Sequence, residues 1–215
     1  MDKLKEFSKT LTFWFVLINI VVYIAILINP DLLCCLWNYN INYNPSIEIW
    51  RFVTAIFTHT SLFHLLTNLL GLVCLGNLVE KYLTKVEYFF VFLITGVITE
   101  IASFAYHILF SPYVVGCGAS GAICGLLGFI IATLIKDRKD RKDRIKFLFM
   151  VVVNVAAINL FIPNVDNIAH FAGLFGGLVL GFIFMKCFKH EKMNDFLEEN
   201  KVEIKVGRMM KEYEL

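Results

Sequence analysis

Proline is scarce in this chain: four residues in 215, at positions 30, 45, 112 and 163. Long helices can therefore run without the residue that breaks them. Charge is scarce too. Asp, Glu, Lys and Arg make up 18%, and the net charge is only +2. A typical soluble domain has about 25% charged residues. So small a balance gives no electrostatic footprint for nucleic acid or an acidic substrate. The six cysteines contain no CxxC pair, so no disulfide framework or zinc set is readable. They read as small buried apolar residues. No HExxH motif exists, since "HEKMN" at 190–194 ends in Asn, and zinc-protease chemistry of that kind is excluded. No cofactor and no metal is expected, and there is no tandem repeat.

What the chain does have is apolar length. It is 58% hydrophobic, above the usual 45–50% or so. Six stretches are long and apolar enough to read as membrane spans: 11–28, 62–79, 88–109, 119–135, 147–162 and 168–185. A span needs about 17–25 residues at about 1.5 Å each. The first is read as a retained anchor, being too long for a signal peptide and lacking a small-residue cleavage site. With the N-terminus inside, nineteen of the twenty Lys and Arg fall in cytoplasmic segments; Arg51 is the exception. The positive-inside rule then gives six spans with both termini cytoplasmic. The expected organisation is a cytoplasmic N-terminus (1–10), an all-α membrane domain (11–188) and a charged cytoplasmic tail (189–215). The long connection after span one holds Trp37, Tyr39, Tyr43 and Trp50, rings suited to a lipid–water boundary.

The charges that end the spans serve as a depth ruler. Ser120 precedes Lys136 by 16 residues, His170 precedes Lys186 by 16, and His64 precedes Glu80 by 16. In straight helices each stands about 24 Å above the inner boundary, in hydrocarbon about 30 Å thick. The three share one layer near the outer face, with Asn68 one turn deeper on the His64 face. Gly118, Gly121, Gly125 and Gly128 on span four, and Gly173, Gly177 and Gly181 on span six, let those two helices approach closely. A serine is a poor nucleophile until a base takes its proton, and His170 is placed to act as that base. The Ser120 amide, His64 and Asn68 are candidate donors to an oxyanion. The competing reading has Ser120 capping span four and the histidines bonded to loop carbonyls. Three polar residues at matched depth on three spans favour function, because such groups are costly in lipid.

"GASG" at 118–121, "HLLTN" at 64–68 and "NIAHFAGLFGG" at 167–177 resemble the signatures of the rhomboid intramembrane serine proteases. "WR" at 50–51 and "HTSLFH" at 59–64 resemble the loop entering that family's second helix. The resemblance covers about Ile49 to Gly181. It implies a six-helix rhomboid-like bundle with Ser120 as nucleophile and His170 as general base and acid. It implies His64, Asn68 and the Ser120 backbone amide as oxyanion hole, Trp50 and Arg51 as anchors of the outer loop, and His59 as a structural neighbour. Where many rhomboids carry an aromatic ring that packs on the catalytic histidine, this chain has Cys124. As an alternative nucleophile Cys124 is disfavoured, because apolar surroundings keep a thiol protonated.

Other polar residues read as structural. Asp166 is expected to cap span six, with orientation of the His170 imidazole as the alternative. Glu100 is expected to be protonated or bonded to a threonine, Glu80 to bond groups at the end of span two, and His107 to be interfacial. "GCGASG" fits the dinucleotide fingerprint but lacks its soluble βαβ context. The GxSxG elbow fails because residue 122 is Ala. The expected activity is endoproteolysis of single-pass membrane proteins near the outer face, within the lipid bilayer of a bacterial plasma membrane. By resemblance, a small side chain precedes the cut. The alternatives are a catalytically silent rhomboid-like protein that escorts transmembrane clients, and a small transporter, which would want polar residues through the full depth of several spans.

Overall fold

The computed structural model describes residues 2–39, 48–110, 115–136 and 166–187. Four helices are long and apolar enough to cross a membrane, Leu11–Ile28, Leu62–Glu80, Lys85–Phe110 and Asn167–Met185, and Ser120–Thr133 is a shorter apolar helix. These correspond to five of the expected spans. The stretch 147–162, the basic loop before it and the tail lie outside the described residues.

Helix α1 (Asp2–Phe7) leads into α2 (Leu11–Ile28). Thr10 caps α2, its Oγ1 accepting from the Phe13 N–H at 3.1 Å. Glu80 takes further donors of the same turn: its carboxylate accepts from the Leu11 N–H at 2.6 Å, the Thr12 N–H at 3.0 Å and Thr12 Oγ1 at 2.8 Å. A helix start leaves N–H groups unpaired and favours negative charge, so the carboxylate sits where both needs meet. The Tyr88 hydroxyl is 3.1 Å from Thr12 Oγ1, which ties in a third helix.

The connection after α2 holds α3 (Asp31–Leu36), β1 (Asn38–Tyr39) and α4 (Arg51–Thr54), followed by a 3-10 turn at Ala55–Phe57. Arg51 organises it from a buried position. Its Nη1 donates to the carbonyls of Cys34 (2.6 Å) and Trp37 (3.1 Å), and its Nε to Glu48. The neighbouring Trp50 ring is 56% exposed.

Ser61 caps α5 (Leu62–Gly71), which widens into a π turn at Leu72–Gly76 and resumes as α6 (Asn77–Tyr82). After α7 (Lys85–Phe110), β2 (Val115–Gly116) pairs antiparallel with β1, placing Asn38 opposite Gly116. This two-residue ribbon is the one departure from helix among the described elements.

Helix α8 (Ser120–Lys136) runs through the interior, with every residue from Gly121 to Ile130 buried. A helix apolar all round belongs inside. Its most extensive partner among the described elements is α9 (Asn167–Cys187). A Cβ on Gly173 would collide with the Gly121 carbonyl oxygen, and one on Gly177 with that of Gly125. Such backbone proximity is what holds helices together where lipid removes the hydrophobic drive. On the flank of α8, Thr99 and Thr95 of α7 fill the space beside Gly121 and Gly125. Their hydroxyls donate to the Thr95 and Val91 carbonyls at 2.9 and 2.7 Å, so no polar group is stranded there. Phe15 and Phe92 stack at 4.3 Å in the apolar core. Trp14, Val21, Leu27, Leu70, Phe171 and Phe175 are more than half exposed, an exterior that lipid accepts and water rejects.

Candidate active site

The ribbon delivers the chain to Ser120. From β2 the backbone turns at Gly118, whose φ of +109° lies in the left-handed region that favours glycine. The Gly118 N–H donates to the Ala55 carbonyl at 2.9 Å. A side chain at Gly118 would also strike the His64 ring, since its Cβ would stand 2.6 Å from Nε2. Ser120 is the first residue of α8, where the backbone N–H has no partner within the helix.

His170 lies in the first turn of α9. Its N–H donates to the Asp166 carbonyl at 3.1 Å. Its Nε2 stands 2.8 Å from Ser120 Oγ, so the polar groups of two glycine-packed helices meet. With Nε2 unprotonated, the serine hydroxyl donates to it, which is the arrangement a general base requires.

His64 and Asn68 are on α5, and the His64 ring lies against Gly118 of this loop. Asn68 Nδ2 donates to the His64 carbonyl at 2.8 Å. Behind them His59 is fully buried, its ring 4.9 Å edge-on from that of His64. Neither ring nitrogen of His59, nor Oδ1 of Asn68, makes a hydrogen bond of good geometry among the described residues, although the Phe57 backbone and the Asn68 side chain lie near the ring and favour its charged form. Burial, reinforced by neighbouring His64, lowers the His59 pKa to about 3. His59 is therefore a neutral ring in the wall of the site.

Cys124 is buried one turn along α8 from Ser120. The Cys117 thiol, just before the loop, is pushed up to about 12, first by burial and then by Glu100. A protonated thiol is no nucleophile. Cys34, Cys35, Cys74, Cys117 and Cys124 are free, and no cluster of three His, Cys, Asp or Glu that could hold a metal occurs among the described residues.

Asp166 caps α9, with Oδ1 accepting from the Ala169 N–H at 3.0 Å. Three polar contacts are not readable in the sequence. Glu100 is not bonded to a threonine, because the neighbouring threonine hydroxyls turn back on α7 itself. Glu100 Oε2 instead accepts from Asn38 Nδ2 at 3.1 Å, beneath the ribbon. His107, expected at the interface, has Nε2 3.2 Å from Asp166 Oδ2. Ser103, which sequence reasoning overlooks, donates to the same Asp166 oxygen. Its only signal is its place four residues before His107 on one helix face.

Apolar helices, a turn at Gly118 and a serine–histidine contact at the heads of two packed helices define a helical membrane protein with a polar cluster. The rhomboid domain family matches residues 46–187. RHOMBOID-like protein 1 of Arabidopsis thaliana is 33% identical over 141 residues, which cover 64% of this chain and 35% of that relative. RHOMBOID-like protein 7 of the same plant is 31% identical over 166 residues, covering 76% of this chain and 50% of the relative. Rhomboid protease GluP of Bacillus subtilis (strain 168) is 34% identical over 132 residues, covering 60% of this chain and 25% of that protein. The chain belongs to the rhomboid family. It spans between a quarter and a half of the length of these three relatives.

Proposed function

We propose that this protein is an intramembrane serine endopeptidase that cuts transmembrane segments of single-pass membrane proteins. The observation that carries the reading is the 2.8 Å contact between Ser120 Oγ and His170 Nε2. In this reading His170 takes the Ser120 proton as Oγ attacks the scissile carbonyl, then passes it to the leaving amine. The resulting oxyanion is received by the Ser120 N–H at the positive end of α8, by His64, and by the Asn68 amide. An amide nitrogen carries two N–H groups, so Asn68 retains one beyond its bond to the His64 carbonyl. Gly118, Gly121 and Gly173 are the positions that keep these parts close, Arg51 and Trp50 belong to the loop beside them, His59 backs the wall, and Cys124 lies beneath Ser120.

A substrate helix must unwind before attack, because its amides are bonded internally and shielded. Substrates with helix-weakening residues near the outer end of the span, and by family resemblance a small side chain before the cut, are preferred. The charge distribution supports six spans with both termini cytoplasmic and the site toward the outer face; the membrane proposed is a bacterial plasma membrane. Residues 11–188 would be the membrane domain and 189–215 a cytoplasmic tail.

The test is cleavage of a model transmembrane substrate in detergent by wild type, Ser120→Ala and His170→Ala, with fluorophosphonate labelling of the serine. Wild-type cleavage should fall by roughly 10³-fold or more in both variants. Equal activity in Ser120→Ala rejects Ser120 as the nucleophile, and a wild type that binds transmembrane clients without cutting them rejects the protease in favour of a silent escort.

A further inference from the structure

We propose that Asp166, Ser103 and His107 form a clamp that positions His170 against Ser120. The clamp rests on the protease reading above; its members are positioning residues that do not themselves meet the substrate.

Asp166 uses its two carboxylate oxygens in two directions. Oδ1 accepts from the Ala169 N–H at 3.0 Å and caps α9. Oδ2 accepts from Ser103 Oγ and stands 3.2 Å from His107 Nε2, and both of these side chains are on α7. A single carboxylate therefore fastens the start of one helix to the flank of another. The side chains of His107 and Asp166 are only 13% and 18% exposed, so this contact is largely shielded from solvent, unlike exposed polar pairs that contribute little.

His170 depends on that fastening. It is the fourth residue of α9, and its own N–H donates to the Asp166 carbonyl at 3.1 Å. The first turn of a helix has no preceding turn to hold it. If it frays, the imidazole leaves the serine. Beyond His170 the helix is held by Gly173 against the Gly121 carbonyl, with Thr99 of α7 alongside. Helix α9 is thus pinned on both sides of the imidazole, and α7 takes part in each attachment. Ser103 and His107 lie four residues apart on the α7 face that carries Thr99 four residues earlier.

The experiment measures three quantities in purified full-length protein: the fluorophosphonate labelling rate of Ser120, kcat and KM on a transmembrane substrate, and the thermal unfolding midpoint. Asp166→Ala should slow labelling and kcat by roughly tenfold or more, the scale set by small misplacements of a reacting group, while KM stays nearly constant. Asp166→Asn keeps an acceptor for the Ala169 N–H and an amide for Ser103 and His107, and should restore most of the rate. Ser103→Ala should cost a few-fold alone and add nothing in the Asp166→Ala background, because both remove one coupled unit. The unfolding midpoint identifies variants that fail to fold. If Asp166→Ala is among them, folded Ser103→Ala and His107→Ala decide. Wild-type labelling rates in both, or losses that multiply in the double variant, overturn the clamp alone. A wild type that neither labels nor cleaves overturns the protease reading and the clamp with it.

Discussion

The carbonyl oxygen of Gly121 occupies the space that a side chain on Gly173 would need. Gly121 follows Ser120 directly and Gly173 lies three residues beyond His170, so this contact sets the separation of the two polar groups. Gly173→Ala must drive α8 and α9 apart. It should lower kcat/KM by roughly 10²-fold and stability by about 1–3 kcal/mol. Gly176→Ala is the control. A Cβ there meets Ile98 Cγ2 at an ordinary 3.4 Å, and neither quantity should move much. Substrate cleavage and thermal unfolding of the two variants check this.

Glu80 provides a different kind of support. Glu80→Ala leaves the Leu11 and Thr12 N–H groups and the Thr12 hydroxyl without their acceptor. Stability should fall by about 1–3 kcal/mol, with less lost in Glu80→Gln, which keeps one acceptor oxygen. Labelling of Ser120 per folded molecule should stay at the wild-type rate, which separates this scaffold role from the site.

His59 makes stability depend on pH. Its folded-state pKa is about 3, against an ordinary 6.5. Below about pH 6.5 the unfolded chain takes up a proton that the folded one refuses, so stability falls as pH drops from 6.5 toward 3. Above 6.5 both states are neutral and the effect vanishes. The slope contributed is up to about 1.4 kcal/mol per pH unit. Comparing wild type with His59→Phe by thermal unfolding across that window should show a shallower slope in the variant. Equal slopes reject this role for His59.

Arg51 reaches three acceptors at once, the carbonyls of Cys34 and Trp37 and the Glu48 carboxylate. A lysine has no planar fork and cannot reproduce that set. Arg51→Lys should loosen α3, read as faster amide hydrogen exchange over residues 31–37, with α7 exchanging as before.

The spans are the most legible part of this chain because lipid demands unbroken apolarity, and α2 occupies the expected 11–28. The proximity of α8 and α9 is legible for a related reason: glycines four apart on each helix have little use except close approach. The alignment of Ser120 with His170 follows from constant helical rise measured against charged span ends. Other features leave no such trace. A two-residue ribbon has no periodicity, so the Asn38 partner of Glu100, 62 residues away, is invisible in the sequence. The capping role of Asp166 is local and readable. Its second attachment, to His107 at a separation of 59 residues, depends on how two helices pack. Span depth alone cannot report it.

The wide turn at Leu72–Gly76 has its own consequence for the second span. At about 100° per residue, Glu80 on a regular helix would point about 120° away from Asn68; one extra residue in the turn reduces that to about 20°. The lower carboxylate can therefore grip the start of α2 while the upper imidazole lies against Gly118. Removing one residue from that turn would swing the carboxylate about 120° away from the side that carries the amide, so the bulge keeps both polar ends of the rod on one inward face.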